Sequence, residues 1–225
     1  LDAKRIQGQF PPSWSFDGTN DYVDLDNVLW SENGNRTFSA WLYYNGNGFG
    51  VFDCGNQGHV GITGNEIRVH VNSNVYFDTD GTLTTDAWNH IVVTQTSTDR
   101  KAWINGVEQG VSSENGSWET DAFNNANSGD VRIAHTSANS YGYFDGRFAQ
   151  VLFYDAKLSD SEIADLYNSG IGTTTPLTTN LSAFYNFEQT GSTLTDQTSN
   201  GYDGTNNGAT TGATGVFPDD KDSVT

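Results

Sequence analysis

The sequence predicts an all-β fold, an antiparallel β-sandwich with one short helix, and three observations carry that expectation. Short runs in which apolar and polar residues alternate recur along the chain, as in Tyr22-Val23-Asp24-Leu25 and Glu66-Ile67-Arg68-Val69-His70-Val71. Period two is how half-buried strands read. The composition agrees, since 25 glycines, 13 phenylalanines, 10 tyrosines and 6 tryptophans stand against 4 prolines and no methionine, the usage of many short strands joined by tight turns. One stretch alone, Ser159 to Gly170, combines helical spacing with helix-end signals.

The opening stretch is a polar turn, Asp17 to Asp21, leading into a strand in which Tyr22 and Asp24 face one way and Val23 and Leu25 the other. Residues 1 to 14 before it read as irregular because Pro11-Pro12 breaks any regular element. Thr37 to Tyr43 places Phe38, Ala40 and Leu42 on one face and Ser39, Trp41 and Tyr43 on the other. A strand apolar on both faces belongs in the middle of its sheet. Further strands are expected at Val51–Cys54, His59–Ile62, Glu66–Val71 (entered through a Gly64-Asn65 hairpin), Val75–Phe77 and Ala87–Thr94, with Asp78 to Gly81 as an acidic loop. Lys101–Ile104 and Val107-Glu108 are joined by Asn105-Gly106, a strong hairpin signal because both central residues of a type I′ turn need positive φ.

A polar, asparagine-rich excursion follows from Ser112 to Asp130, and then strands at Val131–Ala134 and Phe144–Tyr154. Ser159 with Glu162 three residues on forms a capping box, Leu158 can staple onto Ile163, and Gly170 ends the helix, whose apolar face is Ile163, Leu166 and Tyr167. After a threonine-rich connector comes a strand at Leu181–Glu188. An acidic loop at Thr195–Gly208 and an acidic terminus complete the chain.

At 225 residues the chain is long enough to bury roughly seventy per cent of the surface its unfolded form exposes, so one self-sufficient domain is expected. A net charge of −18 disfavours nucleic acid and anionic lipid surfaces and favours divalent cations. An acidic, lysine-poor surface is also simply solubilising, and composition does not separate the two. The single cysteine, Cys54, excludes an intrachain disulfide and cysteine-rich metal sites, and between Phe52 and Gly55 it reads as a small buried residue. No apolar run approaches the roughly 20 residues that span a bilayer, so membrane insertion is not expected. Without methionine, residue 1 does not read as a translation start, and an upstream segment is expected to have been removed. These features suit an extracellular, cell-surface or virion protein.

Several pieces occur in an order that resembles the laminin-G-like, concanavalin A-like jelly roll in its three-part form. They are Phe16-Asp17-Gly18-Thr19-Asn20-Asp21-Tyr22-Val23, Phe38-Ser39-Ala40-Trp41-Leu42, Trp88-Asn89-His90-Ile91-Val92, Trp103-Ile104-Asn105-Gly106, Tyr143-Phe144-Asp145-Gly146-Arg147-Phe148 and the helix Leu158 to Tyr167. The resemblance implies a jelly roll with its core in residues 15–170. It also shows two departures. Ala149-Gln150 stands where the family's late strand carries an acidic pair. The family's first strand and following loop are missing before residue 16 and occur instead at the end, as Phe184-Tyr185-Asn186-Phe187-Glu188 with Asp196 to Gly204. Residues 176–208 would then supply the displaced first strand and acidic loop of a single domain spanning 1–225. Self-pairing, the opening of a following repeat, and donation to a neighbouring subunit all remain open. The likeness of Gly8-Gln9-Phe10-Pro11 to Gly215-Val216-Phe217-Pro218 hints at a tandem or polymeric protein.

Catalysis has little support in the residues. No strand carries a Glu-x-Asp-x-x-Glu run, His59, His70, His90 and His135 lack metal-ligand spacing, and no Gly-x-Ser-x-Gly elbow exists. The resemblance and the charge together imply a structural Ca²⁺ at Glu188, Asp196, Asn200 and Asp203, while aspartate, asparagine and glycine are also ordinary turn formers. Glycan recognition on such a scaffold needs aromatic rings flanked by amides and carboxylates. The candidates are Trp41, Tyr43, Asn56, His59, Trp118 and Tyr141, whereas Trp88 and Trp103 read as core. Two functional classes follow. One is a non-catalytic carbohydrate-binding or adhesion module whose partner is a glycan or glycoprotein. The other is a structural subunit of an extracellular filament, stalk or tail fibre whose C-terminal strand links neighbouring copies.

Overall fold

The structure, a computed structural model, describes residues 12–25, 34–54, 58–72, 75–116, 131–136, 142–173 and 175–213. Strands β1 (Ser13–Asp17) and β2 (Tyr22–Asp24) flank the opening turn, which Asp17 closes by accepting from the backbone N–H of Thr19 at 2.8 Å. Then come β3 (Arg36–Gly48), β4 (Gly50–Asp53), β5 (His59–Thr63), β6 (Glu66–Asn72), β7 (Val75–Thr82), β8 (Ala87–Gln95), β9 (Arg100–Ile104), β10 (Val107–Glu108) and β11 (Val111–Asn115). Both expected hairpins form, with φ of 55° and 73° at Gly64 and Asn65 and 51° and 77° at Asn105 and Gly106. The chain continues through β12 (Arg132–Ile133), β13 (His135–Thr136), β14 (Gly142–Tyr154), α1 (Asp160–Tyr167), β15 (Leu181–Tyr185), β16 (Thr193–Leu194), β17 (Gly204–Asn207) and β18 (Thr210–Ala213).

These strands make two antiparallel sheets. The first runs β10-β9-β8-β3-β14-β1-β18, with β13 and β15 also paired to β14, and the second runs β11-β7-β6-β5-β4-β12-β2-β17-β16. Phe38, Ala40 and Leu42 of β3 point between the sheets, where they meet Val23, Phe52, Val60, Val69, Phe77 and Ile133 of the second sheet. Phe38 stacks on Phe52 at 4.9 Å. The expectation that β3 is central and apolar on both faces holds, because its other face is also buried.

That other face is closed by α1. Leu158, Ile163 and Leu166 pack on Val92, Trp103, Leu152 and Tyr154, while Tyr167 packs on Trp41, Trp88 and Ala149. The helix starts as the sequence predicts, since the Ser159 side chain accepts from the backbone N–H of Glu162 and Glu162 accepts from that of Ser159 at 2.7 Å. It ends two residues before Gly170, at Asn168, whose short polar side chain tolerates the left-handed conformation (φ 46°). Trp88, Trp103 and Cys54 are buried as expected, and the Cys54 thiol donates to the Gly58 carbonyl at 2.9 Å.

Other expectations need correction. Strand β1 starts at Ser13, inside the stretch read as irregular, because Trp14 is a core residue. Asp78 to Gly81 is not a loop. It lies within β7, where the Thr79 hydroxyl replaces a ladder acceptor for the backbone N–H of Ile67 and Arg68 grips Asp78. The excursion from Ser112 begins as a strand, and the region read as an acidic loop contains β17. Leu181–Glu188 ends as a strand at Tyr185, since Phe187 takes a φ of 54°. The two similar terminal motifs, at residues 8–11 and 215–218, lie outside the described residues.

Within the chain, β15 pairs with the end of β14 (Val151 opposite Tyr185), not with the opening stretch. The edges of β1 and β2 are taken by β18 and β17, so the segments paired beside the opening stretch are β17 (Gly204–Asn207) and β18 (Thr210–Ala213). Trp14 holds this junction together. Its ring meets Phe187 edge-on at 5.6 Å and its indole N–H donates to the Gln189 carbonyl at 2.8 Å. Trp14→Ala is expected to destabilise the domain by about 3–5 kcal/mol, measured by urea unfolding. A loss below about 1 kcal/mol would show that the two chain ends are held elsewhere.

Candidate functional site

One face of each sheet points away from the core, and α1 covers that of the first sheet. On the second sheet the ladder register lines up one outward residue from each of seven strands: Asp24, Arg132, Asp53, His59, His70, Tyr76 and Asn115. The row beside it, Val23, Ile133, Phe52, Val60, Val69 and Phe77, faces the core, as strand alternation requires. No helix among the described residues covers this polar row, yet its centre, Asp53, His59 and His70, is buried, and Asp24, Arg132, Tyr76 and Asn115 are its solvent-reaching members.

Near each end of the row stands the same arrangement. On β2 and β12 the Arg132 guanidinium lies 5.0 Å from the Tyr22 ring centroid and 3.8 Å from the Asp24 carboxylate. On β6 and β7 the Arg68 guanidinium lies 4.4 Å from the Tyr76 ring and forks onto Asp78, with Nε and Nη2 each 2.5 Å from a carboxylate oxygen. Each arginine is thus fixed by a carboxylate and an aromatic face at once, contacts that hold a long side chain in one pose. Tyr22 also meets His135 at 5.7 Å and Tyr143 at 6.3 Å. These two residues come from a short ridge, β13 and the start of β14, that crosses the outer face of β4. Gly50 is the residue beneath it, and any side chain there would collide with the backbone of His135, Thr136 and Gly142.

Between the two clusters lie His59 and His70, stacked at 4.2 Å and only 2% and 3% exposed. Burial, the neighbouring His70 and the Arg68 charge drive the His59 pKa down to about 3, so its imidazole is neutral at neutral pH. His90, on the outer face of the first sheet against Trp41 and bonded to the Ser39 hydroxyl at 2.9 Å, is likewise lowered to about 3 by burial.

Of the residues proposed from sequence, the three described ones, Trp41, Tyr43 and His59, do not share one face. Trp41 is buried against Tyr167 (5.8 Å) and His90 under the helix, so it is core and not a sugar platform. Tyr43 is half-buried on the same sheet, with Trp88 edge-on at 5.8 Å and Arg147 over its ring at 5.0 Å. His59 lies in the polar row of the opposite sheet. Asn56, Trp118 and Tyr141 lie outside the described residues. Sequence reasoning missed Arg68, Tyr76, Asp78 and Arg132. The outward parity of Tyr22 and Asp24 was legible, but nothing local sets them beside Arg132.

The calcium set does not fit a cation as it is arranged. Both oxygens of the Asp196 carboxylate are taken, Oδ1 by the backbone N–H groups of Phe184 (3.1 Å) and Thr198 (2.9 Å), and Oδ2 by the Thr198 hydroxyl (2.7 Å) and the N–H of Tyr202 (3.1 Å). Asp203 accepts from the Asp196 N–H at 2.8 Å. Asn200 donates its amide to the Ser182 carbonyl at 2.9 Å, and Glu188 is exposed. Among the described residues no group of three or more His, Cys, Asp or Glu is placed to hold a metal ion. Gln150, at the other departure, donates to the Thr173 carbonyl at 2.8 Å beside the buried Ala149.

A jelly-roll sandwich with one outer face closed by a helix and the other lined with polar and aromatic groups defines the class. Residues 17–164 match the laminin G family described as the concanavalin A-like lectin/glucanases superfamily, and the chain belongs to that family. Among solved structures it is similar to a candidate carbohydrate-binding protein from Bacteroides ovatus ATCC 8483, with a TM-score of 0.72 at 16% identity over 93% of this chain and 61% of that one. It is also similar to the NanB sialidase of Streptococcus pneumoniae, with a TM-score of 0.56 at 14% identity over 75% of this chain and 29% of that one. At these identities the likeness is one of fold, and this chain spans well under the full length of either protein. No curated protein matches the sequence.

Two outcomes follow. Asp196→Ala strands three backbone N–H groups and is expected to cost at least about 2 kcal/mol by denaturant titration, while added Ca²⁺ or EDTA leaves the wild-type melting temperature unchanged. A rise with Ca²⁺ would reveal a cation site that the loop geometry does not show. Second, His59 and His90 are neutral when folded but free to protonate when unfolded. Their contribution to stability is therefore full above about pH 6.5 and falls as the pH drops towards 3, by up to about 1.4 kcal/mol per pH unit for each. Melting curves against pH, compared with His59→Gln, measure this; an identical slope in the variant would remove His59 as a source.

Proposed function

We propose that this chain is a non-catalytic glycan-binding module whose ligand lies on the outer face of the second sheet. The observation that carries the reading is the cross-strand row ending in two tyrosine–arginine–aspartate clusters on the sheet that no described helix covers. Fixed aromatic rings beside paired donors and acceptors are what sugar recognition needs. The similarity to a candidate carbohydrate-binding protein supports the same reading.

Non-catalytic binding is favoured over hydrolysis by the state of the carboxylates. A glycosidase needs two carboxyl groups about 5 to 9 Å apart and free to act on one bond. Here Asp24 and Asp78 are paired to arginines, and Asp53 is 1% exposed beside His59. The net charge of −18, one buried cysteine and the absence of a described helix able to cross a membrane suit a module of a secreted, cell-surface or virion protein.

Half-buried Tyr76 is the most direct probe. Tyr76→Ala is expected to weaken retention on a bound polysaccharide by about tenfold, the scale of one well-made contact, with the melting curve unchanged. Trp41→Ala is expected to lower stability instead, since that ring is core. If a broad array of glycans shows no binding by the wild type, the reading fails.

A further inference from the structure

Strands β15 to β18, within residues 181–213, all sit at the margins of the sandwich. β18 is the last strand of the first sheet, β17 and β16 are the last two of the second, and β15 lies on β14 next to β1. Taking all four away interrupts no ladder among the others, which keep the orders β10-β9-β8-β3-β14-β1 and β11-β7-β6-β5-β4-β12-β2. What the remainder would lose is core. Phe187 meets Trp14 and Phe148 at 5.6 and 6.1 Å, Tyr185 meets Phe153 at 6.2 Å, and Ala183, Leu194 and Ala209 belong to the same cluster. Bared strand edges beside buried aromatic rings select one kind of partner, an extended chain that offers backbone bonds and apolar side chains together.

The segment that fills this surface is tied within itself. Asp196 gathers the backbone N–H groups of Phe184, Thr198 and Tyr202, and the Tyr185 hydroxyl donates to the Tyr202 carbonyl. Asn206 donates its amide to the Gly191 and Ala209 carbonyls at 3.1 and 2.9 Å, and Asn200 donates to the Ser182 carbonyl. Across the junction run the ladders, joined by the bonds of Trp14 to the Gln189 carbonyl and of Ser13 to the Ala213 carbonyl. The connector that leads from α1 is held differently, since residues 175–180 bury no side chain. The contacts of the segment are therefore the same whichever copy's connector leads to it. The connector sets only how often its own segment arrives first.

We propose that residues 181–213 are a complementing segment, and that the surface beneath them on β14, β1 and β2 is an interaction surface whose partner is the same segment of a second copy, so that copies of this chain link by reciprocal exchange. This stands apart from any ligand on the outer face of the second sheet. A short connector holds its own segment at an effective concentration of about the millimolar scale, so dilute chains close on themselves and concentrated ones exchange. Two chains at −18 repel, and salt that screens them favours exchange.

The test uses the intact chain. Wild type unfolded in urea and refolded in high salt at about millimolar concentration is expected to yield dimers that persist on dilution, and at a thousandfold lower concentration monomers, both read by light scattering. The pair Ser15→Cys and Thr210→Cys, directly opposite on β1 and β18, reports whose segment is bound. Oxidised dimers of this variant should carry disulfides between copies, and oxidised monomers a disulfide within the chain. In a third form a protease site is placed within residues 175–180 and cut in the folded protein. Its two pieces should stay together on a sizing column, and a fluorescent synthetic peptide of residues 181–213, added in excess through a cycle of unfolding and refolding, should replace the resident piece. Monomers alone from wild type at both concentrations, or dimers whose disulfides all lie within one chain, overturn the inference. So do separation of the cut pieces at micromolar concentration and exclusion of the peptide.

Discussion

Two strands of thirteen residues each, β3 and β14, lie side by side in the middle of the first sheet, and both are buried on both faces over their central stretches, Thr37–Leu42 and Phe148–Tyr154. A ladder of that kind has to be covered twice. The second sheet covers the inner face through Phe52, Val60 and Val69, and α1 covers the outer face through Ile163 and Leu166. Because α1 is committed to the first sheet, the second sheet turns its outer face away from the α-helix of the described residues. Its strands accordingly alternate, with Val23, Phe52, Val60 and Val69 inward and Asp24, Asp53, His59 and His70 outward. The polar outer row of the second sheet is thus a consequence of where the double-sided strands must sit.

Aspartates do different work at different places in this molecule. Asp196 gathers four donors onto one carboxylate and ties its loop to β15, which in turn pairs with β14. Tyr185, whose hydroxyl is driven upward in pKa by burial, donates to the Tyr202 carbonyl from the same strand. Asp78 and Asp24 instead fix arginines on the outer face. A loop rich in aspartate and asparagine therefore organises backbone, whereas two aspartates spaced across the sheet shape a surface. Composition gives both the same acidic signature.

The ends of the domain meet. Ser13 bonds through its hydroxyl to the Ala213 carbonyl at 3.0 Å, and the β1–β18 and β2–β17 pairs close one strand edge in each sheet. Unpaired edges invite association with other chains, and these two are occupied from within the same chain. Trp14 and Phe187 then fill the space between the closing strands.

Much of the fold was legible because its signals are local. Period-two alternation marked β3, β6, β8 and β14, the dipeptides Gly64-Asn65 and Asn105-Gly106 marked the hairpins, and Ser159 with Glu162 marked the helix start, each decided by residues within a few positions of one another. The sequence could also orient Tyr22 and Asp24 away from the core. It could not say which of the two outward faces the helix would cover, and so Trp41 read as a surface ring when Tyr167 and His90 bury it. Nor could it bring Arg132 to Tyr22 or Arg68 to Asp78, because those neighbours are set by ladder register between separate strands. Local pattern determined the strands, turns and helix of this protein; long-range pairing alone decided which polar residues share a face, because hydrogen-bonded register joins residues that have no relation along the chain.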